Sequence, residues 1–121
     1  MKIFLDDLRQ KPKHYDLAFL DGKNFMNWLA CNKNTSIELI SFDHDLGSDD
    51  ITGYDVVKYI VEKHIDVKNV QFHTSNMVGF KNMYGYFLSA KKAGIYPDLN
   101  INKNVIECID GVETIMPYRV V

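Results

Sequence analysis

Apolar residues follow two rhythms along this chain. Some form short unbroken runs that stop at acidic or imidazole side chains; others recur every three or four positions. Unbroken runs suit strands buried on both faces, and the wider spacing suits helices with one apolar stripe. Ile3-Phe4-Leu5 predicts a first strand, cut off by Asp6-Asp7. After a polar passage with Pro12, Leu17-Ala18-Phe19-Leu20 predicts a second. Asp21 is placed to cap a helix carrying Phe25, Trp28 and Leu29, closed by Asn32-Lys33-Asn34. Ile37 to Phe42 predicts a third strand, ending at Asp43-His44-Asp45, and Leu46 to Asp50 has loop chemistry. Val56, Val57, Ile60, Val61 and His64 then repeat with helical period, and Val67 to Phe72 predicts a fourth strand. Phe80, Met83, Tyr84, Phe87 and Leu88 mark a long helix that Gly94 stops. In the tail, Asp110-Gly111 between Val105-Ile106, Ile109 and Val112 to Met116 predicts a hairpin.

Strands alternating with helices in this way predict an α/β domain with a mostly parallel central sheet and a β-hairpin added at one edge. The length of 121 residues suits a single domain over 1–121. With 46% hydrophobic and 25% charged residues, the chain can bury one core without staples. A net charge of −2 gives no field for a polyanion, so duplex DNA is not an expected partner. No stretch approaches the ~20 apolar residues of a membrane helix, and no membrane partner is expected. Charges appear within the first residues, which predicts no apolar leader and a cytoplasmic setting. Cys31 and Cys108 have no His or Cys neighbours at metal-ligand spacing and read as buried thiols, with a disulfide left open. A secreted scaffold, a membrane protein and a disordered tail are excluded.

Chemistry gathers where strands end. The first strand delivers Asp6 and Asp7, the third Asp43, His44 and Asp45, the fourth His73, Thr74, Ser75 and Asn76. In open parallel sheets, ligands bind beyond the carboxyl ends of the strands, so these clusters are expected to converge on one crevice. Carboxylates crowded together raise one another's pKa, and a divalent cation is the simplest compensation. Each cluster also has a plain structural reading: a cap for Asp6-Asp7, a hydrogen-bonded turn with Gly47 at positive φ, a satisfied buried imidazole for His73. Strand alternation would turn Asp43 and Asp45 to one side and His44 to the other. His14 and His64 read as structural or exposed, Asp49-Asp50 as a solvated loop or cap, and the Phe80 stripe as core.

Leu5-Asp6-Asp7-Leu8-Arg9, the block Asp43-His44-Asp45-Leu46-Gly47 with Thr52-Gly53-Tyr54-Asp55 downstream, and His73-Thr74-Ser75-Asn76 together resemble the cyclic-phosphate processing receiver domains. The likeness runs in order from Met1 to about Ala90, giving a family-like core over 1–95 and an extension over 96–121. It implies a flavodoxin-like, receiver-like three-layer sandwich derived from the response-regulator receiver. By position, Asp6 and Asp7 resemble that fold's cation-holding acidic pair. Asp43 resembles its phosphoacceptor, and Thr74 or Ser75 sits near its hydroxyl position. His44 and His73 are additions, the strand-Lys-Pro element is missing, and the stretch from Arg9 to Asp16 is too short for a full first helix.

The implied activity is hydrolysis of a cyclic phosphate on a small nucleotide or an RNA-derived ligand. His44 and His73 would divide the acid and base roles, with Asp45 among the carboxylates that orient them. Asp6, Asp7 and Asp43 would hold Mg²⁺ or Mn²⁺, with Asp45 a further ligand candidate, and Arg9, Thr74, Ser75 and Asn76 are the phosphate-binding and ligand-binding candidates. Two other readings stand beside it: a module that sequesters a cyclic nucleotide uncleaved, and a degenerate signalling receiver phosphorylated on Asp43. Which histidine is the acid, the identity of the substrate and the oligomeric state are not legible in the sequence.

Overall fold

The computed structural model describes residues 1–47 and 50–119, the last three of them by backbone alone. Its strands are β1 (Lys2–Leu5), β2 (Leu17–Phe19), β3 (Ile37–Phe42), β4 (Val67–Phe72), β5 (Asn100–Ile109) and β6 (Val112–Arg119); its helices are α1 (Gly22–Cys31), α2 (Gly53–Glu62) and α3 (Met77–Lys92). One sheet runs in the order β2-β1-β3-β4-β5-β6, parallel throughout except for the antiparallel β5–β6 hairpin. The receiver-like α/β fold with its C-terminal hairpin is therefore present. β5 pairs in parallel with β4, so the hairpin is rooted in the sheet.

Each helix starts on the residue type its orphan amides require. Asp21 accepts from the Asn24 amide at 2.7 Å, and the Asn76 side chain accepts from the Gly79 amide at 2.9 Å. Thr52 and Asp55 close a reciprocal capping box at the start of α2. The Asp-Gly pair turns the hairpin with φ of 52° at Asp110 and 77° at Gly111, the left-handed pair a two-residue turn needs.

Strand alternation gives the sheet two unlike faces. Ile3, Leu5, Ile40, Phe42, Val70 and Phe72 join Phe25 and Leu29 of α1, Val56, Val57, Ile60 and Val61 of α2, and Phe80, Met83 and Phe87 of α3 in one core. All three helices thus cover the same face. Among the described residues, the opposite face carries a smaller cluster of Phe4, Tyr15 and Cys108 with Leu39 against it. Its cover is the helix-free strap of residues 10–16, clasped by the hairpin. The strap is too short for a helix, and β5 leads into β6 where a further helix would be needed to complete a helical third layer.

One smaller expectation changes, and another holds where the residues are described. Cys108 is buried and Cys31 exposed, both as free thiols, because α1 turns Phe25 and Leu29 inward and leaves position 31 on its outer side. Asp50 is exposed, and Asp49 lies outside the described residues. Among the described residues, no helix is long and apolar enough to cross a membrane.

Candidate functional site

Register places the chemistry. Leu5 aligns with Phe42, and Phe42 with Phe72, so Asp6, Asp43 and His73 leave the sheet side by side. Cross-strand bonds continue one residue further, from the Asp43 amide to the Leu5 carbonyl and from the His73 amide to the Phe42 carbonyl, each 3.0 Å. The three strand ends share one crevice. Asp6, Asp7 and Asp43 each offer a carboxylate oxygen within 4.8 Å of the others. A cleft of about 310 Å³ opens over them, lined by Asp7, Leu8, Arg9, Asp43, Asp45, Gly47 and Ser75.

Asp6 is the anchor. Its Oδ1 accepts from the Leu8 and Arg9 amides at 2.8 and 2.9 Å; its Oδ2 accepts from Arg9 Nη1 at 3.0 Å and pairs with His73 Nε2 at 2.9 Å. Burial pushes its carboxyl up, but the bonds from His73, the two amides and the guanidinium outweigh that and hold it well below the usual range. Asp43 is the opposite case. Burial and the Asp6 charge push it up, against the pull of His73 and Arg9. Arg9 Nη1 also reaches Asp43 Oδ2 at 3.2 Å, so one guanidinium bridges the two buried carboxylates. No described residue bonds the Asp7 carboxylate. Gly47, at φ 71°, lies so close that a side chain there would meet Asp7 Oδ2 at 2.7 Å.

His44 and His73 occupy different worlds. β3 ends at Phe42, so alternation no longer governs the turn; His44 Nδ1 lies 3.0 Å from Asp45 Oδ1 rather than on the opposite side. Asn76 Nδ2 is 3.3 Å from both Asp45 Oδ2 and His44 Nδ1. Because Asn76 Oδ1 already accepts from Gly79, the amide can only donate, and it donates to the carboxylate while Nδ1–H of His44 does the same. The lone pair is then on Nε2. The ring packs over Gly79, where any Cβ would collide with it. The bond from His44 holds the exposed Asp45 carboxyl below its usual range.

His73, expected to share proton transfer, has no exposed side-chain surface and lies behind Asp6 rather than in the crevice. Its ring stacks on Phe4 at 4.4 Å, and Nδ1 is 2.7 Å from Ser41 Oγ. Both nitrogens are occupied inside the protein. Thr74 is likewise buried, its hydroxyl accepting from the Asn76 amide at 3.1 Å, while Ser75 is the hydroxyl that faces the cleft.

Ser41 was not among the expected residues, and neither were Gln71, Tyr15 and Glu113. Gln71 Nε2 lies 3.2 Å from Ser41 Oγ, 2.9 Å from Tyr15 Oη and 2.8 Å from Glu113 Oε2. Tyr15 donates to Glu113 Oε2 at 2.9 Å, and His14 Nε2 pairs with Oε1 at 2.6 Å. A signal existed: Ser41 and Gln71 are the polar breaks in Ile40-Ser41-Phe42 and Val70-Gln71-Phe72, and they face each other in register.

With this geometry in place, the comparisons define the class: a receiver-like domain whose sheet edge carries carboxylates and an imidazole. The family described as the cyclic-phosphate processing receiver domain matches residues 1–89, and the chain belongs to that family. No curated protein and no solved structure matches the chain.

Proposed function

We propose that this protein is a metal-dependent hydrolase of a cyclic phosphate on a small nucleotide or RNA end. The observation that carries the reading is a cluster of three carboxylates within 4.8 Å of one another, two of them bridged by Arg9, beside a cleft whose lining residue Asp45 holds the His44 imidazole. Membership of the cyclic-phosphate processing family supports a cyclic phosphate as the group acted on.

The residues suit a hard divalent cation. All three donors are carboxylate oxygens at a spacing one ion spans, and among the described residues none bonds the Asp7 carboxylate. Asp6, Asp7 and Asp43 would hold Mg²⁺ or Mn²⁺. When bound, the ion supplies positive charge for the phosphoryl oxygens and lowers the pKa of a water. Asp45 fixes the His44 tautomer, so Nε2 can take a proton from the attacking water or, once protonated, give one to the departing ribose oxygen. Arg9, Ser75 and Asn76 supply donors at the cleft for phosphate oxygens and ribose hydroxyls. His73 acts by holding Asp6, not by touching substrate.

The test is turnover of 2′,3′-cyclic nucleotides with Mn²⁺, with EDTA, and in His44→Ala. Turnover that EDTA abolishes and His44→Ala lowers by about 10²–10⁴-fold is expected. Undiminished turnover in His44→Ala rejects the imidazole's role. Tight binding without turnover at any metal concentration defines a sequestering module instead.

A further inference from the structure

Leu8 is the most exposed large apolar side chain among the described residues, at 88%. A lone surface leucine is ordinary. This one lines the cleft, where the other contributors are charged, a glycine or a hydroxyl: Asp7, Arg9, Asp43, Asp45, Gly47 and Ser75. It packs into neither apolar cluster of the sheet. The backbone beneath it is nevertheless fixed. The Leu8 and Arg9 amides donate to Asp6 Oδ1 at 2.8 and 2.9 Å, and Arg9 Nη1 ties the same turn to Asp6 and Asp43 at 3.0 and 3.2 Å. The leucine thus stands at the rim on a turn already ordered before any ligand arrives, which lowers the cost of covering it.

We infer that Leu8 is a specificity-determining residue: its side chain is the platform on which the base of a nucleotide lies while the phosphate meets the carboxylate cluster. A phosphate alone would engage the charged residues and leave the leucine wet. A ligand that covers it must carry an uncharged, flat face close to its phosphate, and a nucleotide holds base and phosphate on one small sugar ring. The spacing agrees. Leu8 follows Asp6 by two residues, which puts their Cα atoms within about 7.6 Å of each other, a span that a ribose with its two substituents bridges. Bases stack on apolar as well as aromatic side chains, and covering a leucine takes apolar surface out of water. The inference rests on the proposed function for the place of the phosphate, and it assigns the part of the substrate that makes the second contact.

The experiment follows the Leu8 methyl groups by ¹H–¹³C correlation in the full chain with Mg²⁺, during titration with adenosine 3′-monophosphate or with inorganic phosphate. Affinities for both are measured in wild type and in Leu8→Ser, which keeps the backbone amide that Asp6 accepts and alters no core contact. The nucleotide is expected to move the Leu8 methyls upfield by the ring current of its base, and inorganic phosphate is not. Leu8→Ser is expected to bind the nucleotide about tenfold more weakly and inorganic phosphate as wild type does. Methyls that stay in place with the nucleotide bound, equal nucleotide affinity in Leu8→Ser, or no nucleotide binding by wild type overturns the inference. Turnover of 2′,3′-cyclic AMP with unmoved methyls keeps the hydrolase and removes the platform. The upfield shift without any turnover keeps the platform and removes the hydrolase.

Discussion

The two faces of the sheet are built from the same strands by opposite rules. Under the helices, Phe42, Phe72, Phe80 and Phe87 pack ring against ring with centroids 5.6 to 6.4 Å apart. Behind, Ser41, Gln71 and His73 are interior polar groups satisfied by one another and by a strap and a hairpin. The first face needs only volume and apolarity. The second needs the right donor opposite the right acceptor at every step, since an orphaned buried group costs more than the bond itself contributes. A sheet that gives up its second helical layer gains room for a buried network that ends at the strand edge carrying Asp6 and Asp43.

Substitutions on the two faces separate these rules. Phe72→Ala, fully buried among Phe42, Phe80 and Phe87, should lose about 3–5 kcal/mol in urea denaturation, enough to leave much of the chain unfolded. On the other face Ser41→Ala removes a single oxygen yet strands His73 Nδ1. A loss of about 1–3 kcal/mol is expected, well above what so small a truncation costs in an apolar core. Equal stability of Ser41→Ala and wild type would show that the network is ornamental.

Acidity sharpens the contrast within the site. Asp6 has its carboxyl held low in the folded state, so the unfolded chain binds its proton first as pH falls. Its contribution is whole above the ordinary carboxylate range near pH 4 and drains away below it; Asp6→Asn should flatten the acid limb of stability against pH. Asp43 is held high, so the folded state takes its proton more readily and ionisation above that range works against folding. Asp43→Asn should therefore raise the denaturation midpoint at pH 7 while weakening divalent-cation binding. Loss of both stability and binding would mean that the Arg9 bridge, not the buried charge, governs this position. The smallest effect is expected at the exposed Lys2–Glu38 pair on the helix-free side, 3.8 Å apart, where Lys2→Ala should shift stability by under about 1 kcal/mol.

The helical face was the legible one. Solid runs such as Ile37–Phe42 and the Phe80-Met83-Phe87 spacing carry their own period, and β3 and β4 fall on the boundaries the runs mark. Asp110-Gly111 named its turn. The convergence of Asp6, Asp43 and His73 was legible too, because parallel register follows from where three strands stop. Where each imidazole comes to lie was not. His44 and His73 follow their strands in similar company, and only packing shows that one ring rests on Gly79 while the other is sealed against Phe4. The polar network behind the sheet stayed hidden for a different reason: Glu113 and Gln71 meet through a β5 register that slips between Val70 and Phe72, and no local pattern announces such a bulge.

Calorimetric titration of the purified protein with Mn²⁺, in wild type and Asp7→Asn, addresses the cleft most directly. Asp7 is the carboxylate with no described internal partner, so Asp7→Asn is expected to remove a ligand of the proposed site while keeping the fold. One saturable ion per chain, bound at least about tenfold more weakly in Asp7→Asn, is the expected result. No saturable binding in wild type, or the same affinity in Asp7→Asn, would contradict the account.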